Sequence, residues 1–187
     1  MAVNVKITIE GEESLADAFG LFGARVRDLR PYWPQVAGRF YQHERETFDS
    51  SGFGTWKPLS DRYRIWKARH FPSTSILEAT GNLRRSLTSQ STPNSIYREA
   101  PLSLELGTTV RYAKAHHEGA TLKIRRGARA AGKGKKARQA NASRPTNPAI
   151  LPRRPLIIIT PELEAGIGEI IQLGLGRYGA ELGFTVR

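Results

Sequence analysis

A glycine- and lysine-rich stretch in the second half of the chain comes close to the motif of a phosphate-binding loop. Gly127, Gly132 and Lys133 stand at the spacing at which backbone amides cradle phosphates and a lysine reaches the terminal ones. The next position must be Ser or Thr to bind magnesium, and here it is Gly134. No hydrophobic strand pattern precedes the stretch and no helical pattern follows it. The sequence therefore favours a chance match over a nucleotide site.

Three residue types that bind metals stand side by side at His116, His117 and Glu118. Adjacent side chains point to opposite faces of a strand, and about 100° apart on a helix, so neighbouring histidines rarely share one metal ion. The chain has four histidines and no cysteine, and it lacks the H-E-x-x-H motif. We therefore expect no metal here, and we predict a solvated turn that ends at Gly119.

The acidic residues offer little support for acid–base catalysis. They cluster at two places that we expect to be solvated, the first loop and the end of the second helix: Glu10, Glu12, Glu13, Glu44, Glu46 and Asp49. The chain also lacks a G-x-S-x-G nucleophile elbow and any thiol nucleophile. We expect no catalytic residue and no cofactor, and we predict that the protein is not an enzyme.

Positive charge is concentrated in one segment. The formal net charge of the 187 residues is +12, yet the segment 121–155 holds eleven Lys or Arg and no acidic residue, which leaves the rest of the chain at +1. The basic side chains that we expect to bind a partner are Lys123, Arg125, Arg126, Arg129, Lys133, Lys135, Lys136, Arg138 and Arg144. A nearly neutral protein with one basic segment differs from chains that are basic throughout, such as histone-like proteins.

The basic segment has three interpretations, which the sequence leaves open. It could neutralise DNA phosphates, although it lacks the interleaved aromatic residues that stack on single-stranded bases. It could become ordered on the acidic surface of a neighbouring protein subunit, the interpretation we favour. It could also be a solvated loop without a partner. Because its large apolar residues stand only near its ends, we predict a long basic loop or arm over 121–152.

The first half of the chain predicts one strand and several helices. Alternating apolar residues predict a strand over 3–10, and an apolar face with Ser14 as N-cap predicts a helix that ends before Pro31. Further helices are predicted from Pro34 to near Phe48, from Ser60 to His70, and from Ser75 to Leu87 with Gly81 as a break or packing point. We expect an aromatic group to join the helices to the sheet: Trp56, Tyr63, Trp66 and Phe71.

The second half predicts strands and one long helix. Alternation from Ser95 to Leu106 predicts strands, 110–115 fits a strand or a short helix, and Leu156–Thr160 predicts a buried strand. A final helix begins at Pro161. The predicted fold class is α+β: one domain over residues 1–187, in which several helices pack on a small antiparallel sheet that carries the long basic loop.

Four stretches, in this order, carry a resemblance: Gly54–Ser60, Ile76–Leu87, Leu106 to Gly119, and Pro152–Pro155. Together they resemble the phage virion morphogenesis or tail-completion proteins of the Mu type, over roughly residues 40–172. The positions that match the family's motifs, and to which the resemblance gives structural roles, are Trp56, Pro58, Leu59, Leu77, Gly81, Leu83, Gly107, Tyr112, Gly119, Arg153 and Pro155. The basic stretch between Gly119 and Arg153 departs from the family pattern, so its role is not carried over.

The resemblance implies a structural protein of the virion, at the phage neck or tail end. Such proteins complete the tail and join it to the head by assembling as rings, here of six subunits, against other neck, connector or tail proteins. The alternative is a nucleic-acid-binding protein whose arm lies along DNA phosphates. The longest aliphatic run, Leu156–Ile159, is too short to cross a membrane, and no secretory signal is visible at the N-terminus. We therefore expect synthesis in the host cytoplasm and no membrane partner.

Overall fold

The computed structural model describes residues 12–122 and 149–184. This part of the chain forms six α-helices and a short 3-10 helix: α1 (Glu12–Val26), the 3-10 helix (Arg30–Tyr32), α2 (Trp33–Asp49), α3 (Asp61–His70), α4 (Asn82–Thr88), α5 (Ala113–Glu118) and α6 (Pro161–Glu181). The strands are β1 (Ser95–Ala100), β2 (Ser103–Thr108), β3 (Ala120–Leu122) and β4 (Ala149–Leu151). The predicted α+β class is confirmed. The strand predicted over 3–10 lies outside the described residues.

The strands pair as two separate antiparallel hairpins, β1 with β2 and β3 with β4. Backbone contacts divide the chain into two compact units. The first unit contains 1–45, 85–108 and 159–187, and the second contains 46–84 and 109–158. The β1–β2 hairpin belongs to the first unit and the β3–β4 hairpin to the second.

The first unit is built around the N-terminal part of α2. Buried side chains recur every three or four residues and place one apolar face of the helix in the core: Trp33, Val36, Ala37, Phe40 and Tyr41. The Trp33 indole donates a hydrogen bond to the Ala100 carbonyl (2.8 Å). The amide of Leu29 donates to the carbonyl of Pro101 (2.7 Å). These two bonds hold the start of α2 against the turn of the β1–β2 hairpin. The helix predicted from Pro34 to near Phe48 and the strands predicted from Ser95 to Leu106 are confirmed by α2, β1 and β2.

Helix α1 differs from its prediction in two ways. It begins at Glu12, so the predicted N-cap at Ser14 is wrong. Its predicted inward face is only partly covered, because Leu15 and Phe19 remain more than half exposed. The helix is held by an aromatic cluster in which the rings of Phe19 and Phe22 lie 4.9 and 5.9 Å from that of Phe184.

Helix α6 starts where the sequence predicted. Thr160 caps it by accepting a hydrogen bond from the amide of Leu163 (3.3 Å), and Pro161 occupies the first turn. The buried strand predicted over Leu156–Thr160 is wrong, since these residues form no strand and Ile159 is 67 % exposed. Prolines at both ends remove amide donors that strand pairing needs, so the apolar run leads into the helix instead.

The second unit contains a tight turn, the exposed helix α3 and the first three residues of α4, Asn82, Leu83 and Arg84. At the turn, Gly52 adopts a positive φ, and a Cβ atom there would overlap the indole of Trp56. Helix α3 has the predicted bounds, but Lys67 is its one buried residue. The core role predicted for Tyr63 and Trp66 is therefore wrong: both are exposed, and they stack on each other with ring centroids 5.4 Å apart.

Two further predictions are corrected by backbone geometry. The helix predicted over Ser75–Leu87 shortens to α4, because Leu77 and Gly81 both adopt a positive φ that a helix does not allow. The loop predicted over 121–152 is wrong at its ends. There Ala120 pairs with Leu151 and Leu122 with Ala149 in the β3–β4 hairpin.

Candidate interaction site

The residues that carry the family motifs gather in the second unit. Gly107 lies on β2 of the first unit, opposite Ile96. The others all belong to the second unit: Trp56, Pro58, Leu59, Leu77, Gly81, Leu83, Tyr112, Gly119, Arg153 and Pro155. Stretches that are far apart in the sequence therefore share one compact body, and their contacts define a site.

Trp56 joins the first motif stretch to the last. Its side chain is buried, and the indole Nε1 donates a hydrogen bond to the carbonyl of Pro155 (2.6 Å). The ring meets that of Phe48 edge-on, with centroids 5.3 Å apart. A large aromatic side chain whose polar atom is satisfied is well suited to fix two distant segments together.

A buried arginine, Arg154, is the central connector of the site. Only 3 % of the residue is exposed. Its Nε donates to the carbonyl of Lys57 (2.7 Å) and its Nη2 to that of Pro58 (3.1 Å), while its amide donates to the carbonyl of His116 (2.7 Å). Burial lowers the pKa of its guanidinium. Among the described residues no carboxylate forms an ion pair with it.

The position that matches the family motif is Arg153, but its side chain is exposed. Arg154, which makes the connections, was not predicted to have a role. The motif Pro152-Arg-Arg-Pro155 contains both arginines, and no periodicity in it distinguishes the inward one from the outward one. The difference arises from carbonyl groups of Lys57 and Pro58, which are nearly a hundred positions away.

The predicted solvated turn at His116–Glu118 is wrong, since these residues belong to α5 and both histidines are partly buried. The Nδ1 atom of His117 accepts a hydrogen bond from the amide of Leu156 (3.1 Å). The Nδ1 atom of His116 is buried and has no hydrogen-bond partner in the described part of the chain. Burial and the charge of Arg154 lower the pKa of His116, which favours its neutral form.

Gly119 closes α5 where the chain comes very near its own backbone. Its φ is +79°, and a Cβ atom there would lie 3.0 Å from the amide nitrogen of Arg153. Both facts require glycine at this position. No group of three or more His, Cys, Asp or Glu residues within 12–122 and 149–184 could hold a metal ion.

These segments enclose an open cleft of about 840 Å³. One wall comes from the segment 57–60 and α3, another from 77–80, and the remainder from α5 and the end of β4. Its lining residues are Lys57, Pro58, Leu59, Ser60, Tyr63, Lys67, Leu77, Glu78, Ala79, Thr80, Tyr112, His116, Ile150, Leu151, Pro152 and Arg154. Each of the four motif stretches thus contributes residues to one concave surface, although Gly107 itself does not border it.

The charges that line the cleft are mainly positive. Lys67 is 5 % exposed and donates from Nζ to the carbonyl of Ser75, and burial lowers its pKa. The single lining carboxylate, Glu78, forms an ion pair with Arg84 at 2.6 Å. The cleft is therefore a partly apolar surface with an excess of cations.

Another buried charge-bearing group, Glu44, lies in the first unit. The prediction that Glu44 lies on a solvated helix end is wrong, since its side chain is fully buried. Neither carboxylate oxygen has a hydrogen-bond partner among the described residues. Burial raises its pKa to about 8. The group is therefore mostly protonated at neutral pH and takes no part in the cleft.

The basic residues predicted to bind a partner all lie in 123–148, outside the described residues, as does the glycine-rich stretch from Gly127 to Gly134. The structure describes the base of this segment, the β3–β4 hairpin, whose strand β4 contributes Ile150 and Leu151 to the cleft. The described base of the arm therefore borders the candidate site.

Comparison with family models matches residues 12–175 to the phage virion morphogenesis family. Searches of curated proteins and of solved structures return no match to the chain. The helices of the described residues include none that is long and apolar enough to cross a membrane.

Proposed function

From the premise that this chain belongs to the phage virion morphogenesis family, we propose that it acts at the phage neck or tail end, completing the tail and joining it to the head. The family indicates a structural, non-enzymatic role in the virion. The observation that carries the proposal is the match over residues 12–175, which includes the four motif stretches. A role through subunit contacts also fits a site made of a cleft and an adjacent arm.

In this proposal the protein assembles as a ring, of six subunits, on the tail end or connector. Its basic arm, 121–152, then clamps a neighbouring ring or subunit that presents acidic side chains. The charge distribution supports a clamp, because the segment 121–155 carries eleven basic residues and the rest of the chain is nearly neutral. The β3–β4 hairpin supports it as well, since it holds the two ends of the arm next to each other.

Electron microscopy of lysates from a phage with this gene deleted tests the virion role. We expect filled heads beside unjoined tails, or tails of irregular length. A strain complemented in trans with the intact gene is the control and is expected to restore joined particles. Normal, infectious particles in the deletion strain would contradict the proposed role.

A second candidate function is DNA binding by the arm, favoured by its run of basic residues without a single acidic one. Each phosphate contact releases counterions, so affinity for DNA would fall about a thousandfold between roughly 50 and 200 mM salt. Binding of a fluorescent duplex by the full chain, measured across this range, distinguishes the candidates. A weak interaction with little salt dependence would exclude the arm as a DNA-binding element.

A further inference from the structure

The cleft of the second unit holds three cationic side chains, Lys57, Lys67 and Arg154, and one carboxylate, Glu78, so the described fold compensates their charge only in part. Arg154 uses its donors on two backbone carbonyls, and neither it nor Lys67 forms an ion pair with a carboxylate in the described residues. The lining carboxylate Glu78 forms an ion pair with Arg84, which also pairs with Asp49, and its charge offsets part of the charge of Lys67. Burying charge without a counterion costs free energy that a bound carboxylate would return.

We propose that this cleft binds an extended segment of a partner protein in which a carboxylate side chain stands next to apolar side chains. The partner class, another virion protein, rests on the proposed function. The cleft and its charges do not depend on that function, so the peptide-binding proposal and the proposed virion role can be contradicted separately.

The shape and lining of the cleft favour a peptide segment. A volume of about 840 Å³ lies within the usual range of ligand sites, roughly 300–1,000 Å³. Its apolar lining suits aliphatic or aromatic side chains: Pro58, Leu59, Leu77, Leu151 and Pro152. Tyr63 and Tyr112 stand at its walls and are 43 % and 44 % exposed, and exposed tyrosines are typical anchors of protein interfaces.

The polar groups of the cleft suit a carboxylate. Lys57 is exposed on the wall, and Arg154 and Lys67 lie deeper, so an acidic side chain would meet positive potential along its way in.

DNA is the less suitable occupant. A duplex presents a row of phosphates to cations arranged along an exposed track. Here two of the cations are almost fully buried, at 5 % and 3 % exposure, and much of the lining is apolar. A phosphate backbone would leave that apolar surface unfilled, whereas a peptide segment supplies the side chains to cover it.

Selection from a displayed library of random 12-residue peptides, on the immobilised full chain, tests the proposal. Selected peptides are synthesised and titrated against the wild type and two double variants. The cleft variant is Lys57→Glu/Tyr112→Ser, both exposed wall residues. The matched control is Arg62→Glu/Ile65→Ser on α3, which makes the same change of charge and removes an exposed apolar side chain outside the cleft.

We expect the enriched peptides to contain Asp or Glu next to Leu, Ile, Phe or Tyr. Their affinity should fall about tenfold or more in the cleft variant and stay within about twofold in the control variant. Peptides without carboxylates, or equal affinities for both variants, would overturn the proposal. Loss of binding to a fluorescent DNA duplex in the cleft variant, without loss of peptide binding, would assign the cleft to nucleic acid instead.

The selection uses purified protein, so its result does not depend on a role in the virion. Normal particles from the gene-deletion phage would end the proposed function while leaving the cleft to be decided by the peptides. Unjoined tails in the deletion strain together with a failed peptide selection would support the proposed virion role and contradict the proposed peptide site.

Discussion

Glu44 makes the stability of the protein depend on pH in an unusual direction. In the folded state its pKa is about 8, compared with an ordinary value of 4.5, because the carboxyl is buried without a partner among the described residues. The folded form keeps the proton while the unfolded form releases it. Stability is therefore greatest below pH 4.5, as far as this group is concerned, and falls as pH rises to about 8.

We predict that Glu44→Gln removes this loss. The wild type should lose on the order of 4 kcal/mol of unfolding free energy through this group between its two pKa values, whereas the neutral amide loses none. Urea unfolding at several pH values from 5 to 9 measures the slope of the unfolding free energy against pH for each protein. Glu46→Gln, an exposed neighbour on the same helix, is the control and should retain the wild-type slope. Parallel slopes for wild type and Glu44→Gln would contradict the prediction.

Arg154 should be much more sensitive to substitution than its neighbour Arg153. Arg154→Met leaves the carbonyls of Lys57 and Pro58 without their side-chain donors, and we expect about 2–4 kcal/mol of destabilisation in urea unfolding. Arg154→Lys should not restore stability, because an ammonium group cannot reproduce the guanidinium fork. Arg153→Met, at an exposed side chain, should change stability by less than about 0.5 kcal/mol. Equal effects at both positions would refute the assignment of Arg154 as the connector.

At the scale of single elements, helix caps allow a matched comparison. Thr160 caps α6 through a hydrogen bond to the amide of Leu163, whereas Ser60 stands at the same position before α3 and makes no capping bond with its side chain. We predict that Thr160→Ala costs about 1 kcal/mol of unfolding free energy and that Ser60→Ala costs less than about 0.5 kcal/mol. Thermal or urea denaturation of both variants checks this, and a larger effect at Ser60 would show that the caps are wrongly assigned.

Elements whose signals are local could be predicted from the sequence. Helix α2 follows from apolar spacing between Trp33 and Tyr41, and the start of α6 follows from Pro161. The failures at Leu156–Thr160 and Ser75–Gly81 have a common cause. In both, the pattern of apolar residues fits a regular element that the backbone does not form. At Leu156–Thr160 the flanking prolines prevent strand pairing, and at Ser75–Gly81 positive φ angles interrupt the helix, and apolar periodicity reports neither.

The candidate site was predictable only in part. The resemblance identified its segments, and Trp56 was expected to be buried. The cleft itself depends on residues 57–60, 77–80, 112–116 and 150–154 meeting in space, which no spacing along the chain encodes. The exposure of Tyr63 and Trp66 was likewise missed, because aromatic residues on a helix usually indicate a core contact rather than an open surface.

At the scale of the whole molecule, the stability of the fold should not depend on the arm, whereas assembly should require it. We predict that replacing residues 124–148 by a short Gly-Ser linker leaves the melting temperature nearly unchanged, since the closure entropy changes by about 1 kcal/mol or less. The same variant should fail to support particle assembly and infectivity. A full-length arm with its nine Lys and Arg residues changed to Gln is the companion variant, and it should fail in the same way if charge carries the contact.

Assembly that survives both changes would contradict the clamp. Assembly lost only in the shortened variant would show that the reach of the arm matters and its charge does not. Loss of the folded state in the linker variant would instead show that the segment contributes to the core.

The register of the β3–β4 hairpin has a consequence for how this protein can diversify. Because Ala120 is paired with Leu151, and Leu122 with Ala149, the two ends of the intervening segment are held next to each other, and the segment closes a loop between them. Each doubling of such a loop costs only about 0.6 kcal/mol, so insertions and deletions there are nearly neutral for folding. Related phages could therefore exchange arms of different length and composition on one scaffold, and so change the partner that the protein recognises while inheriting its body unaltered.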